Sequence, residues 1–147
     1  NAIDQAIGSA SGILIQFPIY FGIMGLMNHS GLVQYFSDFF VTVSTSTSFP
    51  VYTFISAGFV NIFVPSGGGQ WGVQGPIILQ AATELGVPLP KAIMALAYGD
   101  QLTNMLQPFW ALPIMGITGL KASEILPYTF LLFAAGFLIF GTILLIF

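Results

Sequence analysis

The chain has 147 residues, of which five are acidic and two are lysine, with no arginine and no cysteine. A charged share of 5%, against about 25% in soluble domains, cannot build a water-facing surface, and a hydrophobic share of 56% excludes disorder. A net charge of −3 without a basic patch excludes nucleic acid as a partner, and the lack of cysteine excludes disulfides, thiolate metal sites and cysteine nucleophiles.

The charges stand at Asp4, Asp38, Glu84, Lys91, Asp100, Lys121 and Glu124. Uncharged runs of 33, 45, 20 and 23 residues separate Asp4 from Asp38, Asp38 from Glu84, and Asp100 from Lys121, and follow Glu124. A spanning helix needs about 20 largely apolar residues, so the pattern predicts an all-α polytopic membrane protein. The first predicted span is 6–27, with small residues for close helix approach and a kink at Pro18 near Gln16. Asn28–Gly31 reads as a turn. Residues 31–48 predict an amphipathic interfacial helix, apolar at Leu32, Val33, Tyr35, Phe36, Phe39 and Phe40, followed by a polar connector at Ser44–Ser48. Residues 49–86 form two short apolar arms around Pro65-Ser66-Gly67-Gly68-Gly69-Gln70, a tip in which each glycine costs a helix about 1 kcal/mol relative to alanine. That predicts a re-entrant hairpin rather than two full spans. Residues 91–119 predict a broken transmembrane helix, interrupted over 99–108, and 125–147 a plain spanning helix. The chain begins at Asn1 without a signal-peptide pattern, so a region of a longer protein is expected.

Backbone exposed at membrane depth is tolerated only where it is buried in protein or lines a polar cavity. Discontinuous helices in secondary transporters use half-helix N-termini for anions and unwound carbonyls for the coupling cation. At the tip, Ser66, Gly67, Gly68, Gly69, Gln70 and Trp71 are therefore candidate substrate-binding residues, because glycines let a ligand approach the backbone and a helix N-terminus accepts an anion. A ligand-free surface loop is the competing reading. Asp100 lies nine residues from Lys91 and 21 from Lys121, so it falls within the membrane. There an acid costs at least about 2.5–3.5 kcal/mol and marks function by default, although an Asp also caps half-helices well. Gln101 and Thr103 join Asp100 as candidate cation-coupling residues, and Asn104 and Gln107 as substrate-binding ones. Each of these neighbours serves an interhelical hydrogen bond equally well. Trp71, Phe109 and Trp110 could wall a small apolar pocket or serve as packing. His29 reads as a headgroup-level residue. No catalytic residue and no organic cofactor are predicted.

Phe63-Val64-Pro65-Ser66-Gly67-Gly68-Gly69-Gln70-Trp71 and Gly99-Asp100-Gln101-Leu102-Thr103-Asn104-Met105-Leu106-Gln107-Pro108 resemble the bacterial short-chain fatty acid transporter family. The resemblance covers the whole chain and implies the C-terminal part of a longer carrier, with an N-terminal half as its partner. A looser likeness extends to p-aminobenzoyl-glutamate and dicarboxylate carriers of the ion transporter superfamily, which implies inverted repeats, with 49–86 as the second hairpin and 91–119 as the second broken helix. Those relatives often carry Ser-Asn-Thr at the tip. Ser66-Gly67-Gly68 lacks the Asn and Thr side chains, which shifts a sodium ion near Gly67, Gly68, Asp100 and Asn104 onto backbone carbonyls.

The implied function is a symporter for short-chain fatty acids or similar small carboxylates in the bacterial inner membrane, multi-pass and open to homo-oligomer formation, with Na⁺ or H⁺ as the coupling ion. The only cations, Lys91 and Lys121, lie at predicted helix ends, so this region offers no buried cationic side chain to a carboxylate. The alternatives are an ion channel with Gly67–Gly69 as its filter and an intramembrane aspartyl protease pairing Asp100 with Asp38.

Overall fold

The computed structural model describes residues 2–107 and 111–146, and among these the chain is helical with no strand. Helix α1 (Ala2–His29) is followed by α2 (Leu32–Thr42), α3 (Phe49–Phe63), α4 (Gly67–Glu84) and α5 (Leu89–Thr103). A 3₁₀ turn (Asn104–Leu106), α6 (Leu112–Thr118) and α7 (Ala122–Ile146) complete the order. The roles expected of the Gln16 side chain and of Pro108, Phe109 and Trp110 fall outside the described residues.

Local chemistry sets the ends of these elements. The chain turns from α1 into α2 at Gly31, whose φ of 75° is strained for residues with a Cβ. On α2, Val33 and Ser37 are buried while Tyr35 and Phe39 face outward, the two-faced pattern of an interfacial helix. In the connector, the Thr45 amide donates to Ser48 Oγ at 3.0 Å. Pro50 then stands in the first turn of α3, where its missing N–H costs nothing.

The centre of the molecule is α3. Phe49, Phe54, Ala57, Val60 and Asn61 along it are at most 2% exposed. The chain leaves the helix only over Val64–Ser66 and then runs back along α3 as α4, so that Ala57 packs with Ile78, Ala81 and Ala82. The break is shorter than the 65–70 predicted from the glycines. Gly67–Gly69 form the first turn of α4, where the N–H groups lack helical partners in any case, and Ser66 Oγ accepts from the Gly69 amide at 3.3 Å. An N-cap of this kind contributes about 1 kcal/mol.

On another side of α3 lies α5, and Gly99 makes that packing possible. A Cβ on Gly99 would clash with the Phe54 carbonyl oxygen and stand 2.9 Å from both Ala57 Cβ and Gly58 N. Small residues therefore bring the two backbones together, as in other membrane helix pairs. The predicted interruption at 99–108 is displaced by this packing. Gly99 lies inside α5, which continues to Thr103 and tightens into the 3₁₀ turn.

Helix α7 starts where Glu124 Oε2 accepts from the Lys121 amide at 2.7 Å. Its inner side stacks Phe140 on Tyr98, with ring centroids 4.4 Å apart, and buries Leu144. Its outer side exposes Leu131, Leu138 and Leu145. Among the described residues α7 alone is both long and apolar enough to cross a membrane, and an apolar outer face of that extent suits lipid rather than water.

Candidate functional site

Three helix ends meet around Asp100. The last turn of α3 and the last turn of α5 both bring C-termini there, each carrying about half a negative charge. The first turn of α4 brings an N-terminus of opposite sign. Helix C-termini leave carbonyls without helical donors, and side chains meet that need reciprocally. Asn61 Nδ2, from α3, donates to the Asp100 carbonyl oxygen at 2.8 Å. Gln107 Nε2, from the segment after the 3₁₀ turn, donates to the Asn61 carbonyl oxygen at 2.8 Å. Asn61 Nδ2 is also 2.9 Å from Thr103 Oγ1 and 2.8 Å from Asn104 Oδ1. Thr103 Oγ1 in turn lies 3.2 Å from the Gly99 carbonyl.

The Asp100 side chain points at the α4 N-terminus. A Cβ on Gly67 would be 3.4 Å from Asp100 Oδ2. Asp100 Oδ1 is buried and has no hydrogen-bond donor, and the same holds for Asn61 Oδ1, Gln70 Oε1 and Gln107 Oε1. A buried acceptor left without a donor costs about 1–3 kcal/mol, so Asp100 Oδ1, Asn61 Oδ1 and Gln107 Oε1 in this network are places where a water, a cation or a proton-bearing group is stabilised.

The predicted site residues divide between this centre and other places. Ser66 caps α4, and Gly67 and Gly68 are exposed in its first turn. Asp100, Thr103, Asn104 and Gln107 share one network centred on Asn61. Gln101 is exposed and takes no part in it. Gln70 is fully buried and turned into the hairpin, where Nε2 donates to the Ala57 carbonyl and to Gln74 Oε1, each at 2.8 Å. Gln74 continues that chain to Ser56 Oγ at 2.9 Å. Trp71 is half exposed and lays its indole over Gly75, where a Cβ would be 2.9 Å from the ring. His29 is exposed at the end of α1, and Asp38 is exposed on α2, accepting from Gln34 at 3.1 Å.

Two participants escape the sequence reading. Asn61 is one polar residue in an otherwise apolar arm, yet it is 0% exposed and holds the centre of the network. Gln74 is buried in the same way. The available signal was the cost of an amide in an otherwise apolar helix, which is offset only by a hydrogen-bonding partner.

Beside the network lies a cavity of about 250 Å³. Asn104 and Gln107 border it on one side; Ile114 and Met115 of α6 and Ile125, Leu126 and Thr129 of α7 line the rest. It is a mainly apolar chamber with two amides on its wall, smaller than the roughly 300–1,000 Å³ of drug-sized ligand sites.

The sequence profile described as "Short chain fatty acid transporter" matches residues 1–147. A protein of Haemophilus influenzae named "Putative short-chain fatty acid transporter" is 49% identical over 143 residues, covering 96% of this chain and 32% of its own length. A protein of Escherichia coli K12 with the same name is 48% identical over the same coverage. The chain thus spans about a third of the length of these relatives. No solved structure matches it. With the profile matched from end to end, the chain belongs to the short-chain fatty acid transporter family, a family of membrane transporters and not of enzymes.

Proposed function

We propose that this chain is the coupling region of a secondary transporter that moves short-chain fatty acids or similar small carboxylates across the bacterial inner membrane together with Na⁺ or H⁺. The observation that carries the proposal is the approach of Asp100 Oδ2 to Gly67 in the first turn of α4. In this reading α3 and α4 form a re-entrant hairpin, α5 to α6 a broken helix, and an inverted copy in the N-terminal part of the full protein completes the carrier.

Electrostatics supplies the coupling. An ionised Asp100 occupies the positive end of α4, an anion-favouring feature beside the network. A helix N-terminus stabilises an anion by up to about 2 kcal/mol when partly buried. A substrate carboxylate 4 Å from ionised Asp100 meets about 4 kcal/mol of repulsion at an effective dielectric near 20. The repulsion wins, so the substrate is refused while Asp100 is charged. A proton or sodium ion at Asp100 removes the repulsion and releases the α4 N-terminus to the substrate. The order is cation first, carboxylate second. The chamber bordered by Asn104 and Gln107 takes the aliphatic tail, and each methylene buried there adds about 0.8 kcal/mol, or roughly fourfold in affinity, until it is full.

The protease alternative needs two acids at one place. Asp38 instead borders a cleft with Glu84, Gln34 and Gln80 between α2 and α4, while Asp100 faces Gly67. The test uses the full-length protein in proteoliposomes with radiolabelled butyrate. Saturable uptake that rises with an inward sodium or proton gradient is expected. Uptake indifferent to both gradients, or single-channel currents in place of saturable uptake, would sink the proposal.

A further inference from the structure

Between α3 and α7 runs a groove of about 230 Å³ with α5 as its floor. Phe59 and Ile62 of α3 stand exposed on one wall and Phe137 of α7 on the other. The Phe137 ring is held in place by Phe54, with ring centroids 5.4 Å apart. Gly58 and Gly99 lie between the walls, so the deepest part of the groove carries no side chain of its own.

Apolar exposure alone does not call for a protein cover, because lipid tails are as apolar as leucine. Two features beneath this groove do. Helix α3 has 15 residues, about 22 Å at 1.5 Å per residue, short of the roughly 30 Å of hydrocarbon. As an arm of a re-entrant hairpin it therefore ends at membrane depth, and α5 stops beside it. Leu106, from the 3₁₀ turn that ends α5, closes the groove. Backbone leaving a helix at that depth is tolerated only behind protein or along a polar cavity, and the lining here is apolar. Thr103 also lines the groove, and its Oγ1 is 2.9 Å from Asn61 Nδ2. One side chain thus separates the groove from the buried network around Asp100.

The outer face of α7, with Leu131, Leu138 and Leu145 exposed, covers no such break and suits lipid. A two-fold pair of chains meeting at the groove would set concave against concave and fill neither. The chain spans about a third of the length of its relatives, so the full-length protein holds ample further chain to supply a cover.

We propose that this groove is the docking seat of an apolar transmembrane helix from the part of the full-length protein outside these 147 residues. That helix lays bulky apolar side chains between Phe59 and Phe137, over Gly58 and Gly99, and shields the end of α5 from lipid. The inference rests on the hairpin reading and adds to it the surface at which the rest of the carrier attaches.

The experiment places photoreactive benzoylphenylalanine at position 137 or 59 of the full-length protein in liposomes, with position 138 as the control. Adducts formed on irradiation are identified by mass spectrometry. Phe137 and Phe59 are aromatic already, so the probe keeps a ring on each wall, whereas Leu138 faces outward and should yield lipid adducts. The groove positions should cross-link to peptides outside these 147 residues, with lipid adducts at least about tenfold rarer than at position 138, because close-packed protein excludes acyl chains. Lipid adducts as frequent as at position 138, cross-links confined to residues 1–147, cross-linked dimers, or no adduct at all each overturn the proposal. If the position 137 variant does not fold, position 59 decides. Butyrate uptake by the unmodified protein is read separately, so a lipid-filled groove refutes the docking seat and leaves the symport reading intact. Gradient-independent uptake alongside the expected cross-links keeps the seat and fails the symport reading instead.

Discussion

Replacing Gly99 by alanine is the sharpest perturbation of the frame that holds Asp100. The added Cβ meets the Phe54 carbonyl oxygen, and at 2.9 Å the Ala57 Cβ and Gly58 N. Two of those three contacts are backbone, so no side-chain rotation relieves them, and α3 must move away from α5. Overpacking of this kind costs about 1–3 kcal/mol. Separation also stretches the two hydrogen bonds that the Asn61 amide can make and the one from Gln107 Nε2 to the Asn61 carbonyl, together about 3 kcal/mol at about 1 kcal/mol each. The sum, about 4–6 kcal/mol, is a large part of a typical stability of about 5–15 kcal/mol. Gly141→Ala is the control, because a Cβ there meets nothing within 4 Å and removing a helical glycine gains up to about 1 kcal/mol. Thermal unfolding of the detergent-solubilised full-length protein compares the two. Gly99→Ala should lower Tm strongly and Gly141→Ala should hold or raise it. Equal Tm values for the two variants would refute the packing argument.

Other substitutions separate stability from coupling. Gly67→Ala places a methyl 3.4 Å from Asp100 Oδ2, an ordinary contact. It should leave Tm nearly unchanged yet raise the half-saturating cation concentration about fivefold, a shift near 1 kcal/mol, read from cation-dependent uptake. Thr103→Val keeps the shape but loses the hydroxyl between Asn61 and Gly99, and should lower stability by about 1–3 kcal/mol in denaturant titration. Gln70→Leu strips the Ala57 carbonyl and Gln74 Oε1 of their donor and should cost a similar amount. Leu126→Phe narrows the chamber beside Asn104 and should move the preferred substrate to a shorter acid in a competition series from acetate to hexanoate.

Segments governed by composition or by punctuation were the ones legible from sequence. The final helix, read as 125–147, is Ala122–Ile146 because its long apolar run outweighs Pro127 near its start. The connector before Pro50 and the turn at Gly31 follow from residues with few other uses. The helix breaks were misplaced for a shared reason. Glycine serves two purposes, loosening a backbone and letting another backbone approach, and a sequence does not say which. Gly67–Gly69 turned out to open a helix, and Gly99 to pack one. The same ambiguity hid Asn61. Its importance comes from α5, about forty positions away, whose last carbonyls need a donor. The sequence singles out Asp100 because a lone acid in an apolar stretch has few bland explanations, and the structure puts its carboxylate beside Gly67, whereas Gln101, one position on, faces outward.

Charge scarcity gives the proposed carrier its logic. In the proposed mechanism, with Lys91 half-buried at the start of α5 and Lys121 exposed before α7, attraction for a carboxylate in this region falls to the α4 N-terminus and to amides, and Asp100 controls the first of these. The most direct measurement of that control compares two modes of transport in full-length Asp100→Asn protein reconstituted in liposomes. Exchange of internal for external butyrate needs a seat that both carboxylates can use, whereas concentrative uptake needs a cation at position 100. The account predicts that the variant retains exchange and loses concentrative uptake under either a sodium or a proton gradient. Gradient-driven accumulation at the wild-type level in Asp100→Asn would contradict it.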